Sequence, residues 1–293
     1  MYQVTHHTAY RYNDPVSTGN HVACLRPRNL PYQAVRNFRL RIFPEPSSVA
    51  ERSDYFGNTL HTFSIQDQHR ELIVETCSEV EVEDREFATV SGDISWEEAI
   101  RRLPDDRTQT GLEAYQFCFP SPRIRPSPTF AEYAYESFTP QRPMREALMD
   151  LTGRICRDFK FQPNATNVGT TVEEVFEKRC GVCQDFAHLQ IACLRSLHIP
   201  ARYVSGYLRT IPPPGTPRLI GTDASHAWVS AYSAASGWHD FDPTNNMAAD
   251  GDHITVAWGR DYGDVSPLRG SIVGGGVQAL QVSVDVEIVN QAA

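Results

Sequence analysis

The apolar residues of this chain change their period partway along, and that change constrains the fold more than any other feature. Up to residue 92 the period is two. Phe38, Leu40 and Ile42 alternate with Arg39 and Arg41, and Val80 and Val82 alternate with Glu79, Glu81 and Glu83. Leu72 and Val74 belong to another such run. This is the period of half-buried strands. Phe56-Gly57-Asn58 supplies turn chemistry between two of the runs. Several short strands separated by Pro, Gly and Asn predict a β-sandwich. A short amphipathic piece over residues 95–103 and a Pro-rich stretch, F-P-S-P-R-I-R-P-S-P over 119–128, follow and read as a stiff connection. Beyond it the period becomes helical. Helices are predicted over 129–138, from Pro143 through Leu148, Leu151 and Ile155, from Thr171 with its capping-box Glu174, and over 183–197. Strands are then predicted over 201–208, 226–232, 238–241 and, in the tail, 279–289. The class is α+β. The predicted division is a β-sandwich domain over 1–92, a linker with a short helix over 93–128, and a catalytic domain over 129–293.

Composition removes several functions. The chain of 293 residues carries 36 acidic against 27 Lys and Arg residues, a net charge of −9. Neutralising nucleic-acid phosphates needs a basic face, so no nucleic-acid partner is expected. No apolar run approaches the about 20 residues of a membrane-spanning helix, so no membrane partner is expected either. The N-terminus lacks the charged and apolar regions of a signal peptide. Seven cysteines, an odd number without a secretion signal, predict free thiols in a reducing cytoplasm.

The stretch R-C-G-V-C-Q over 179–184 carries the chemistry. With His188 and Cys193 it has the spacing C-x2-C-x4-H-x4-C, which suits a zinc knuckle, a redox dithiol or a cysteine nucleophile. A knuckle needs a looped backbone. Here the intervening residues are helical in pattern, and at about 100° per residue, ligands five apart point about 140° away from each other. A thioredoxin-like dithiol follows a strand, whereas a helix precedes this one. The third reading makes Cys183 the first residue of a helix, where the dipole and free N–H groups favour a thiolate and can hold an oxyanion. Gly181 permits the tight entry. A base and an orienting group follow downstream: S-H-A-W-V, with His226 at the start of one strand, and W-H-D-F-D-P-T, with Asp242 at the end of the next. Adjacent antiparallel strands bring an imidazole and a carboxylate together, and the carboxylate fixes the tautomer.

These segments, in this order, resemble the core of the transglutaminase-like superfamily. The runs M-Y-Q-V-T-H-H-T-A-Y-R-Y, L-R-P-R and D-Y-F-G-N resemble the N-terminal region of its bacterial members. The resemblance implies a papain-like fold with Cys183 as nucleophile, His226 as base and Asp242 as third member. It implies no catalytic role for Cys180 or Cys193, and a peptide or protein substrate. Some relatives are encoded beside ATP-grasp peptide ligases, which implies a functional link of that kind. The reaction is acyl transfer through a thioester. Water as acceptor makes it a peptidase or amidase, the favoured reading, and an amine makes it a protein-glutamine transglutaminase. A catalytically silent binding or scaffold module is the rival from another class.

Strand parity alone does not separate Asp240 from Asp242, and the D-P-T context selects Asp242. Gln184 is a candidate for the oxyanion hole, with the Cys183 backbone N–H the safer donor. The stretch 159–162 is where a side-chain donor would lie in animal relatives. Trp228 shares a face with His226 and reads either as a wall of the site or as core. In the Gly-rich segment 258–276, Arg260 and Tyr262 are candidate substrate contacts, the alternative being a plain connection to the last strand. The loop 211–215, I-P-P-P-G, is a candidate border of the cleft. His188 reads as a packed, hydrogen-bonded core residue, and His6, His7, His21, His61 and His69 as packing residues of the β region. No cofactor is predicted, and no loop has calcium-binding spacing.

Overall fold

The computed structural model describes residues 1–83, 93–210 and 225–289. The loop 211–215 and the boundary at residue 92 lie outside the described residues.

The chain opens with a 22-residue strand, β1 (Tyr2–Ala23), followed by β2 (Gln33–Phe43), β3 (Ser48–Ser53), β4 (Thr59–Ile65) and β5 (His69–Val82). The period-two pattern places Leu72, Val74 and Val80 of β5 on a fully buried face. Hydrogen bonding joins these strands in an antiparallel arrangement, ordered β2-β5-β1-β4-β3. The long β1 serves both halves of it. Its register against β5 breaks between Arg11 and Val16. Its first half then pairs with β5 and its second half with β4.

The middle of the chain carries α1 (Trp96–Arg102), α2 (Gln109–Tyr115), α3 (Pro128–Tyr135), α4 (Met144–Asp158), β6 (Lys160–Phe161), α5 (Val172–Lys178), β7 (Cys180–Gly181) and α6 (Cys183–Ser196). Residues 93–128, assigned from the sequence to a linker with a short helix, carry α1 and α2. Leu103, Ala114 and Cys118 pack with Tyr232, and Ile124 is fully buried. Helix α5 starts as its sequence predicts, with Thr171 Oγ1 accepting from Glu174 N–H at 3.3 Å. Helix α6 is buried along nearly its whole length. Its apolar side chains enter one core with α3, α4 and the strands β8 (Ala201–Leu208), β9 (Ser225–Ser233), β10 (Gly237–Asp242) and β12 (His253–Gly259), and β11 (Met247–Ala248) pairs with β10 outside that core. These strands form the second sheet, ordered β11-β10-β9-β8-β12.

A single turn, α7 (Tyr262–Val265), leads to β13 (Leu268–Gly274) and β14 (Gln278–Ile288). The division drawn from the sequence assigns these last residues to the catalytic domain, 129–293. Both strands pair with β1, β14 along residues 2–12 and β13 along residues 16–23. The alternation in the tail was a sound sign of a strand, but alternation does not name the partner. Val284 and Val286 thereby join Val4 and Val80 in the same core cluster as helix α6.

Candidate active site

The turn into α6 is made by specific residues. Arg179 ends α5 in the left-handed region, at φ 54°. Gly181 sits against the Asp185 side chain, where an added Cβ would come within 2.8 Å. Asp185 Oδ2 accepts from Val182 N–H at 2.8 Å and from Thr166 Oγ1 at 2.6 Å. That cap fixes the first turn and leaves Cys183 at the helix N-terminus, half-buried. The short parallel pair β6–β7 braces the same turn, with Gln162 N–H donating to the Gly181 carbonyl at 2.9 Å. The stretch 159–162 therefore lies behind the nucleophile turn.

His226 enters from the start of β9 and Asp242 from the end of β10, adjacent strands of the second sheet. His226 Nε2 and Asp242 Oδ2 are 2.7 Å apart. Cys183 lines the same cavity as the ring, and its side chain is a second group that favours the charged imidazole. Burial alone would lower the His226 imidazole, but its hydrogen bonds to Asp242 and Cys183 outweigh burial and push it up to about 10. Asp242 is fully buried. Burial would raise its carboxyl, yet the hydrogen bonds from His226 and His253 hold it well below the usual carboxylate range. Thr244 N–H and Asn245 N–H donate to Oδ1 at 2.8 and 3.2 Å, and Asn245 Nδ2 to Oδ2 at 2.7 Å.

His253 was not singled out in the sequence. It opens β12, is fully buried, and places Nε2 3.2 Å from the same Asp242 oxygen. Its Nδ1 lies 2.9 Å from Asp250 Oδ1. Both ring nitrogens thus face carboxylates, and those contacts raise the ring's pKa although burial opposes it. The only sequence signal was a histidine three residues after an aspartate at a strand start, too common to select. The ligand atoms of His226, Asp242 and His253 lie within 4.8 Å of one another. This is the group among the described residues whose spacing suits a metal, and it does not include Cys180, His188 or Cys193. Both histidine nitrogens face the Asp242 oxygen in hydrogen-bonding contact, so the arrangement suits proton chemistry.

The other candidates separate clearly. Asp240 accepts from Trp228 Nε1 at 3.2 Å, away from His226. Trp228 is fully buried and packs edge-on against His253 at 5.2 Å, so it backs the site as core. Arg260 is held by Asp264 through two contacts of 2.9 Å and does not reach the cavity at Cys183. Gln184 and Tyr262 do line that cavity. His188 is buried and accepts from Tyr262 N–H at 3.1 Å, and burial pushes it down to about 3. Cys193 is fully buried, its thiol pushed up to about 12. Cys180 lies in β7, off the cavity wall.

The cavity has a volume of about 260 Å3. One side is Cys183, Gln184, Tyr203 and His226. The facing side comes from the first sheet: His6, Thr8 and Tyr10 of β1 with Leu280 and Val282 of β14. From the sequence His6 is expected only as a packing residue of the β region. The available signal was the alternation H-x-T-x-Y, which puts three polar groups on one face of a strand whose neighbours are buried.

Comparisons with known proteins fit this geometry. Residues 2–81 match the bacterial transglutaminase-like N-terminal region, and residues 131–243 match the transglutaminase-like superfamily. An uncharacterized protein of Mycobacterium tuberculosis is 40% identical over 97% of this chain and 92% of its own length. A protein-glutamine gamma-glutamyltransferase of Pseudomonas aeruginosa is 28% identical over 64% of this chain and 28% of its own length. Among solved structures, a candidate cysteine protease from Cytophaga hutchinsonii aligns with a TM-score of 0.76 and 20% identity, over 100% of this chain and 91% of that one.

Proposed function

This chain belongs to the transglutaminase-like superfamily, and from that premise we propose that it is a thiol-dependent acyl-transfer enzyme, a peptidase or amidase, with Cys183, His226 and Asp242 as its triad. The observation that carries the reading is the 2.7 Å contact between His226 Nε2 and the buried Asp242, on a ring that lines one cavity with Cys183 at a helix N-terminus. In the proposed mechanism the Cys183 sulfur attacks the carbonyl carbon of an amide in a peptide or protein. The carbonyl oxygen becomes an oxyanion that the Cys183 backbone N–H can stabilise. The His226 imidazolium gives its proton to the leaving amine, the C–N bond breaks, and a thioester remains. Water then attacks the thioester, its proton passing to His226, the C–S bond breaks, and the acid leaves with the Cys183 thiolate and the His226 imidazolium regenerated. Asp242 holds the ring in the tautomer that this exchange needs and stabilises the cation.

The P. aeruginosa relative favours one second reading, in which a primary amine replaces water as acceptor. The test acylates the protein with an activated ester and follows the fate of the acyl group by mass spectrometry, with and without a primary amine. Acyl capture on Cys183, followed by release as free acid, is expected. Release mainly as the amide favours the second reading. Cys183→Ala, His226→Ala and Asp242→Ala should each lower turnover by roughly 10³-fold or more, with losses that do not add. Cys180→Ser should retain activity. Equal loss in Cys180→Ser and Cys183→Ala overturns the nucleophile reading in favour of a dithiol.

A further inference from the structure

Residues from the two ends of the chain face Cys183 across the cavity. Thr8 pairs with Val282, and Tyr10 with Leu280, in the antiparallel register of β1 and β14. Both cross-strand pairs line the cavity, and His6 continues the row on the same face of β1. At about 260 Å3 the space lies below the roughly 300–1,000 Å3 of sites for drug-sized ligands. It suits one side chain or a short acyl chain.

The chemistry of that wall is uncharged. Among the described residues no Asp, Glu, Lys or Arg lines the cavity. The one titratable group of the wall besides Tyr10 is His6, which is fully buried. Its two nitrogens are taken by hydroxyls, Nε2 by Thr8 Oγ1 at 2.9 Å and Nδ1 by Tyr207 OH at 3.1 Å. Burial and the neighbouring His7 push the imidazole down to about 4, so the ring is neutral at physiological pH. Leu280 and Val282 add aliphatic surface at the rim. A charged group seated against this wall would lose its water and find no counter-charge within the wall, since the one cation of the cavity, His226, lies on the opposite side and is already paired with Asp242.

We propose that the β1–β14 face is the acyl-binding wall of the enzyme and that it selects acyl donors whose side chain is short and uncharged. This rests on the reading of Cys183 as the acylated nucleophile.

The test uses the full chain and two activated esters matched in length, p-nitrophenyl butyrate and mono-p-nitrophenyl succinate. The rate of Cys183 acylation is read by mass spectrometry and normalised to each ester's reaction with free cysteine. Butyryl transfer should exceed succinyl transfer by at least about tenfold, because the succinyl carboxylate would be buried against a wall that offers no charged partner. Leu280→Arg, at an exposed rim position, should reverse the order by giving the carboxylate a partner. Equal rates for the two esters, or a preference that Leu280→Arg leaves unchanged, would overturn the wall while leaving Cys183 acylation intact. If neither ester acylates Cys183, the acyl-transfer reading falls and the wall falls with it.

Discussion

At the scale of single residues, the site depends on how one carboxylate is shared. Asp242 accepts from His226 and His253 at the same oxygen. Its charge keeps His226 protonated to high pH, and the imidazolium is the form that donates to a leaving amine. The linkage has a definite sign. The folded value of His226, about 10, lies above the roughly 6.5 of a free histidine, so the stability this contact contributes is fully present below pH 6.5 and is lost as pH rises toward 10. Asp242 is depressed instead, so its contribution is present above the ordinary carboxylate value and is lost only in strong acid. Asp242→Asn should therefore move the alkaline limb of the acylation rate toward neutral pH. His253→Gln should move it the other way, because it removes a like charge from beside His226. A pH profile of Cys183 acylation by a neutral ester reads both. Unmoved limbs in both variants would mean that the cluster is only structural.

At the scale of elements, close approach sets the site more than propensity does. Gly206 of β8 lies opposite His226 of β9. A Cβ at Gly206 would sit 2.2 Å from the Ile254 carbonyl oxygen and 2.4 Å from Trp228 Cη2. Neither can withdraw, since one is strand backbone and the other is packed on His253. Gly206→Ala should then cost about 1–3 kcal/mol from overpacking, measured by denaturant unfolding, with lost acylation from a shifted His226. What was legible in the sequence follows the same division. The phase of α6 and the D-P-T strand end could be read because they rest on local periodicity and turn chemistry. They led to Cys183 at the α6 N-terminus and Asp242 beside His226. His253 could not be read, because its contact with Asp242 depends on β12 lying across β8 from β9, a pairing that no local pattern encodes. Arg260 was read as a substrate contact from its Gly-rich surroundings, whereas its partner Asp264 was four residues away in the same stretch.

At the scale of the whole molecule, the two sheets are joined by side chains that substitute for a strand. In the second sheet β12 is an edge, and its outer backbone groups need partners. Gln33 donates to the Thr255 carbonyl at 2.8 Å and accepts from Thr255 N–H at 2.8 Å. Asn58 does the same for Trp258, at 2.8 and 3.0 Å. Both amides come from the first sheet or its turns and are fully buried. Between them Trp258 is stacked by Arg28 at 3.6 Å and Arg202 at 3.7 Å, one guanidinium from each side of the junction. The sequence marked Phe56-Gly57-Asn58 as turn chemistry, which accounts for the turn but not for the reach of Asn58 to β12. Asn58→Ala leaves a buried N–H and C=O unpaired, which should cost about 1–3 kcal/mol. Gln33→Ala should cost a similar amount, and because the two amides brace one edge strand, the double variant should depart from additivity. His253 opens that strand and leans on Asp242, so loosening the edge should also slow Cys183 acylation. The check is to measure unfolding and acylation on the same variants. Destabilisation with an unchanged acylation rate below the melting temperature would show that the first sheet supports the catalytic core without tuning it. A coupled loss would tie the geometry of the triad to the sheet that pairs the two ends of the chain.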